Sequence, residues 1–469
     1  MRKPLIVALL ALLAGGCMVG PDYVRPPVDA PAAWRLGEPE VRDLANTAWW
    51  EQFGDPVLND LIAEALRANK DLLIATARID EFAGKYGFVR SGLFPQVGAG
   101  YEPSRQRNIP AGATQPATYN SYSAVLSASW EIDLWGRIRR QTEAANAQLL
   151  ASEEGRNAVI LSLLGSVAGA YINLRDLDRQ LEIARATAKS RGESYDLFKL
   201  RFEGGLISLL ELSQNKSQYE EALATIPPLE KAIAQQENGL SVLLGRNPGP
   251  IARGKDIDQL LLPAIPAGLP SDLLERRPDL RRAEQDLIAA NALIGAAKAM
   301  YFPTISLTGL FGYASPSLSS LFDGPSKVWQ YAAPITMPIF TAGAIAGQVQ
   351  AAEAVQQQAL FRYQKAIQEA FREVDDSLVS QDRTRAQLLA QGRQVEALQQ
   401  YASTARLRYD NGYTSFIEVL DAERSLFNAQ LQFVQTQQVQ LQAMVNLYLA
   451  MGGGWVVEAG KMTGTDGAR

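Results

Sequence analysis

Residues Arg408–Phe427 read RYDNGYTSFIEVLDAERSLF, and residues Arg201–Glu220 read RFEGGLISLLELSQNKSQYE. With Arg201 set on Arg408, Phe202 falls on Tyr409, Gly205 on Gly412, Ser208 on Ser415, Leu210 on Ile417 and Glu211 on Glu418. Nearly the same offset carried backwards sets GLFPQVGAGY (Gly92–Tyr101) on MYFPTISLTG (Met300–Gly309), and Asp71-Leu72 on Asp279-Leu280. The chain therefore holds two copies of one unit of roughly two hundred residues, too long for a solenoid repeat. Each copy runs in the same order: a short helix, two strand-like runs, a very long helix, a glycine turn and a second long helix.

The turn phrases lie between proline-free stretches, Arg137–Phe202 and Gly343–Tyr409. Each predicts a helix of about 65 residues, or ~100 Å at 1.5 Å per residue. Apolar residues recur at spacings of three and four: Leu174, Leu177, Leu181, Ala184, Ala188, Tyr195, Phe198 and Phe202 in the first copy, Leu388, Val395, Leu398, Ala402, Ala405 and Tyr409 in the second. Beyond the second turn, Leu420, Phe427, Val434, Leu441 and Tyr448 recur every seven. These are coiled-coil seams. Gly204-Gly205 and Asn411-Gly412 supply the left-handed conformations a reversal needs.

The other decisive pattern is two-residue alternation. In YSAVLSASWEIDL (Tyr122–Leu134), Tyr122, Ala124, Leu126, Ala128, Trp130, Ile132 and Leu134 share one side, with Ser123, Ser127, Ser129, Glu131 and Asp133 on the other. In the second copy Ile305, Leu307, Phe311 and Tyr313 alternate with Thr304, Ser306 and Thr308, and Trp329, Tyr331, Ile335, Met337 and Ile339 form a further apolar side. Such strands suit the wall of a membrane barrel, apolar to lipid and polar to lumen. Taken alone they also suit a soluble sandwich with one wet face. Four strands cannot close a barrel and open edges do not survive in lipid, so a barrel requires several chains.

Composition narrows the function classes. Among 469 residues there are 45 Lys and Arg against 50 Asp and Glu, a net charge of −5 and no His. Nothing basic points to nucleic acid, and the commonest general base and metal ligand is missing. No phosphate-binding G-x-x-x-x-G-K-[ST], no Ser/His/Asp set and no Cys/His metal cluster is present. Neither catalysis nor a cofactor is expected. The N-terminus, MRKPLIVALLALLAGGCMVGPDY, has a basic start at Arg2 and Lys3 and a short apolar run from Leu5 to Leu13, the form of an export signal. The sole cysteine, Cys17, follows Ala14, Gly15 and Gly16, where a lipoprotein signal ends, and suits attachment of an acyl lipid such as palmitate.

The sequence resembles the TolC-like outer-membrane efflux factors, in particular the lipoproteins that serve RND-type pumps. The phrases that carry the resemblance are CMVGPDYVRP (Cys17–Pro26), WWEQFGDPVLNDLI (Trp49–Ile62), LPSDLLERRPDLRRAE (Leu269–Glu284), AMYFPTISL (Ala299–Leu307) and VLDAERSLFNAQ (Val419–Gln430), in that order. The resemblance implies a mainly α protein with a membrane β-barrel portion, built as a homotrimeric α/β-barrel channel in which each pseudo-repeat gives two transmembrane strands and long coiled-coil helices. It further implies a lipid-anchored place in the bacterial outer membrane, extension into the periplasm, and two partners: a membrane-fusion adaptor and an inner-membrane RND-type pump. A conduit of this family conducts small molecules passively and is gated at its periplasmic tip, the basis of multidrug resistance. Position by position, Asp421 matches an aperture carboxylate, Ile417 an apolar constriction, and Arg408 and Tyr409 the locking residues, with Asp176 and Asp178 as candidate partners for Arg408. Gly205, Leu206, Gly412 and Thr414 match adaptor-docking loops.

On this reading the chain divides into a signal peptide (1–16), a lipidated arm (17–51), a first repeat (52–246), an equatorial linker (247–270), a second repeat (271–451) and a tail (452–469). Strands are expected at 93–104, 119–135, 302–314 and 327–340, with hairpin tips at 203–208 and 410–415. Two other readings remain: the conduit of a type I secretion system, and a structural envelope lipoprotein without a pore.

Overall fold

The computed structural model describes residues 18–29, 31, 34–36, 48–109, 112, 114–263 and 273–453. The signal peptide, Cys17, much of the arm and the tail after 453 lie outside the described residues. Two compact units emerge, and each draws on both sequence repeats: the described residues within 18–28, 77–153 and 282–365 form the first, and those within 29–76, 154–281 and 366–453 the second.

The first unit is organised by an antiparallel sheet. β1 (Gln96–Asn108), β2 (Ala117–Ile132), β3 (Thr304–Ser315) and β4 (Lys327–Ala332) stand side by side in chain order, and the short β5 (Ile335–Thr336) also pairs with β3. Sequence expectation ran the last strand unbroken over 327–340. The structure interrupts it at Ala333-Pro334, where proline offers no N–H to a ladder; Pro334 instead accepts a 3.1 Å bond from Ser306 N. The register sets the alternation on a common side. Leu126 stands opposite Phe311, Ala124 opposite Tyr313, Trp130 opposite Leu307 and Phe311 opposite Trp329. Ser127 and Ser129 meet Leu310 and Thr308 on the other side. Leu126, Phe311, Trp329 and Tyr331 are 54%, 49%, 65% and 79% exposed, an apolar surface that nothing among the described residues covers.

The N-terminal phrase packs into the same unit. Val19 N donates to Trp135 O, and Gly20 lies so close to Gly295 that a Cβ on either would strike backbone. Buried Arg140 donates to the carbonyls of Val19 and Gly20 and to Asp22, while Asn291 holds Pro21 O and Glu284 receives Tyr23 and Arg25.

The second unit is helical, and parts of its helices, with most of residues 278–299, belong to the first. α1 (Pro56–Ala68) is capped by Asp55 and followed at once by α2 (Lys70–Ser91); α3 (Arg137–Glu203) and α4 (Leu209–Leu243) form one hairpin, and α7 (Ala344–Asp410) and α8 (Phe416–Ala450) the other. The intervening α5 (Leu273–Arg276) and α6 (Pro278–Ala299) open the second repeat. The short helix expected to open the first repeat is divided in two at Asn69. Asn69 is buried, turns extended, caps α2 through Leu72 N and donates to Leu243 O at the end of α4. The heptad residues Phe427, Val434, Leu441 and Tyr448 are all buried. α3 contains a stretch long and apolar enough to cross a bilayer, but half of that stretch is buried within the chain and belongs to the helical core. Here α3 and α8 approach closely. A Cβ on Gly165 would come within 2.3 Å of Leu449, and one on Gly169 within 2.4 Å of Gln442.

The GDP of Gly54–Pro56 owes its form to a buried carboxylate. Asp55 accepts from Val57 N at 2.9 Å, Tyr171 OH at 2.7 Å and Lys255 N at 2.9 Å. It thereby ties α1, α3 and the linker after α4 together. Burial and this bond push the Tyr171 phenol well above its ordinary range.

Candidate functional site: the hairpin tips

Both tips belong to the second unit, and their backbones repeat each other. Gly205 and Gly412 adopt φ of 70° and 75°, and Ser208 and Ser415 share φ −81° and ψ 157°. In each, paired bonds close the preceding helix: Gly205 N to Phe202 O and Leu206 N to Arg201 O in the first, Gly412 N to Tyr409 O and Tyr413 N to Arg408 O in the second. This is a glycine-terminated C-cap, satisfying carbonyls left over by the helix end.

The side chains differ. In the first tip Ser208 and Glu211 form a reciprocal capping box. The second has no side-chain cap at Ser415; Thr414 donates instead to Glu418, which also accepts from Arg408 Nη1 at 3.4 Å. Arg408 is thus held within its own tip. The candidate partners Asp176 and Asp178 are engaged elsewhere, Asp176 with Gln180 and Asp178 with Arg175 and Arg253. The sequence offered no way to separate local Glu418 from those more distant carboxylates.

An aromatic core fastens the two hairpins just above the turns. Phe198 of α3 is fully buried, with its ring centre 4.3 Å from Phe416 and 6.1 Å from Tyr409; Tyr409 and Phe416 are 5.1 Å apart. Ala402, Ala405, Val419 and Ala422 complete the buried cluster, with Ile207 and Leu212 packed against it from the first tip. Burial raises the Tyr409 phenol, and Arg201 bonds to it.

Ile417 and Asp421 sit one turn apart on the side of α8 that this cluster leaves free, 61% exposed for Ile417 and 53% for the Asp421 side chain. Among the described residues Asp421 pairs with Arg424, three residues on, at 3.0 Å. Leu206, Leu209 and Leu210 make the first tip strongly apolar at its surface, whereas the second exposes Tyr413.

Sequence reading missed a charged cluster a few turns above. Arg191 of α3 is 4% exposed, donates to Gln218 O and Glu221 on α4, and lies 5.3 Å from the ring of Phe427 on α8. Burial lowers its pKa. Glu423 of α8 reaches Arg406 of α7 at 3.9 Å, and burial raises its carboxyl despite that neighbour and Arg191. No spacing in the sequence separates Arg191 from the many solvated cations of the same helix.

The first unit thus carries a sheet with an uncovered apolar side, and the second carries doubled antiparallel helices with glycine-turned tips. The model of the outer membrane efflux protein family matches the chain twice, over residues 61–246 and 269–453, and the chain belongs to that family. It is 38% identical over 473 residues, 98% of each chain, to the probable efflux pump outer membrane protein TtgC of Pseudomonas putida. It is 36% identical over 451 residues, 95% of this chain and 97% of the other, to the cation efflux system protein CusC of Escherichia coli. The Campylobacter jejuni CmeC outer membrane channel superposes with a TM-score of 0.89 at 26% identity, over 96% of this chain and 98% of that one.

Proposed function

We propose that three copies of this chain close one barrel and form a passive, non-enzymatic conduit for small molecules, serving a periplasmic adaptor and an inner-membrane RND-type pump. The observation that carries this reading is the open sheet. β1 and β4 end the strand order, and the uncovered apolar side spans all four strands. In lipid such edges need partners, and further copies supply them without any other protein. The same observation disfavours a poreless spacer, which has no use for a lipid-facing sheet.

Within this reading Cys17 carries the lipid, and the remaining roles lie at the tips. Ile417 and Asp421 from three chains narrow the aperture, with three carboxylates forming a cation-favouring ring. Arg408 and Tyr409 hold the second tip, through Glu418 and the Phe198–Phe416 core respectively. Gly205, Leu206, Gly412 and Thr414 present the turns to the adaptor's hairpin. The purified lipoprotein in planar bilayers tests this reading: discrete cation-preferring conductance supports it, and a membrane-bound protein that never conducts overturns it.

A further inference from the structure

We propose that Asp176 is a proton-binding site that sets the strength of the α3–α8 seam: neutral, it leaves the seam closed, and ionised, it places an uncompensated charge inside and loosens it. Asp176 is 5% exposed and its Oδ1 has no hydrogen-bond partner among the described residues. Its Oδ2 accepts 2.8 Å from Gln180 Nε2, and Gln180 Oε1 in turn accepts 3.2 Å from Gln435 of α8. The carboxyl therefore reaches the opposite helix through amides alone.

The charges of the packed elements are turned elsewhere. On α3, Arg175 pairs with Asp178 and Asp256, and Arg179 with Glu182 and Asp258. After α4, Arg253 pairs with Asp178 and with Glu237. On α7, Arg383 pairs with its neighbour Asp382 and is exposed. α8 has no Asp, Glu, Lys or Arg from Ser425 to Ala450. A buried carboxylate without a cation is costly and takes up a proton instead. Here burial lifts the Asp176 carboxyl to about 6, opposed only by the Gln180 bond. Acidity of the surrounding medium thus tunes how firmly a helix of the first repeat holds a helix of the second.

Hydrogen exchange of α3 and α8 amides in the intact detergent-solubilised protein tests this between about pH 5 and pH 7.5, after correction for intrinsic exchange. Seam opening in the wild type rises by up to about tenfold per pH unit on the acid side of the folded-state midpoint and levels off above it, and in Asp176→Asn it does not change with pH. Infrared difference spectra supply a second readout: a protonated-carboxyl band fades as pH rises, persists in Glu423→Gln and is missing in Asp176→Asn. Gln180→Leu removes the bond that favours the ionised form, so its midpoint moves upward; this keeps the proposal testable should Asp176→Asn fold poorly. A wild-type seam indifferent to pH, or one whose pH response survives in Asp176→Asn, overturns it, as does an unmoved midpoint in Gln180→Leu.

Discussion

Truncating Phe198 to alanine should unlatch the two hairpins at their tips. Phe198 is fully buried and is the one residue of α3 within the core cluster shared with α7 and α8. Loss of a buried phenylalanine costs about 3–5 kcal/mol, which includes its ring contacts. If only the closed arrangement holds that cluster together, even 3 kcal/mol shifts the closed-to-open ratio by roughly two orders of magnitude, at 1.4 kcal/mol per tenfold. Phe198→Leu keeps much of the volume and should shift the ratio far less. Single-channel recording gives the open fraction directly, and influx of a large antibiotic into cells gives the physiological counterpart. An open fraction unchanged in Phe198→Ala, with the protein folded and inserted, would show that the cluster is mere helix packing and refute its role in closure.

Other perturbations read other parts of the account. Asp421→Ala removes the exposed carboxylate and should raise resting ion leak and weaken cation preference in planar bilayers; wild-type conductance and influx would disprove the gate assignment. Asp55→Ala leaves Tyr171 OH and the N–H groups of Val57 and Lys255 without their acceptor, a loss of about 2–4 kcal/mol from a vanished cap and stranded buried donors, seen as a lower melting temperature. Phe311→Arg puts a charge on the uncovered apolar side and should cost about 2–4 kcal/mol per chain near mid-membrane, with reduced yield of inserted protein. The pH dependence has a definite sign. The Asp176 pKa is raised from 3.8 to about 6 on folding, so its stabilising contribution is complete below the unfolded value and disappears as pH rises through the folded one. That amounts to about 3 kcal/mol per chain, measurable by denaturant unfolding of wild type against Asp176→Asn.

The features legible beforehand were those with a local signature. Glycine turns at Gly205 and Gly412, alternation from Tyr122 and three-four spacing in the long helices need no tertiary information, because each reflects backbone geometry. The shared side of Leu126 and Phe311 followed from alternation, but their direct opposition required the register. The helix break at Asn69 was not legible: asparagine is an ordinary surface residue until its side chain finds Leu72 N and Leu243 O. Burial of polar groups was equally hidden. Asp55 and Asp176 look alike in sequence, yet one is satisfied by three donors and the other faces amides. At the tips, Arg408 and Tyr409 were singled out through the family resemblance, whereas the ring cluster joining Tyr409 to Phe198 and Phe416 depends on how two hairpins meet.

Closure of the sheet by neighbouring copies is the claim on which the channel depends, and cysteine crosslinking addresses it directly. Within one chain β1 and β4 are separated by β2 and β3, roughly 14 Å at ~4.8 Å per strand spacing, beyond the reach of a disulfide. Cysteine pairs stepped along β1 and β4, in a chain whose only native cysteine is Cys17, should at one register give a covalent ring of three on a non-reducing gel and nothing larger. Failure to crosslink at every register, in protein that is folded and membrane-inserted, would contradict the closed barrel.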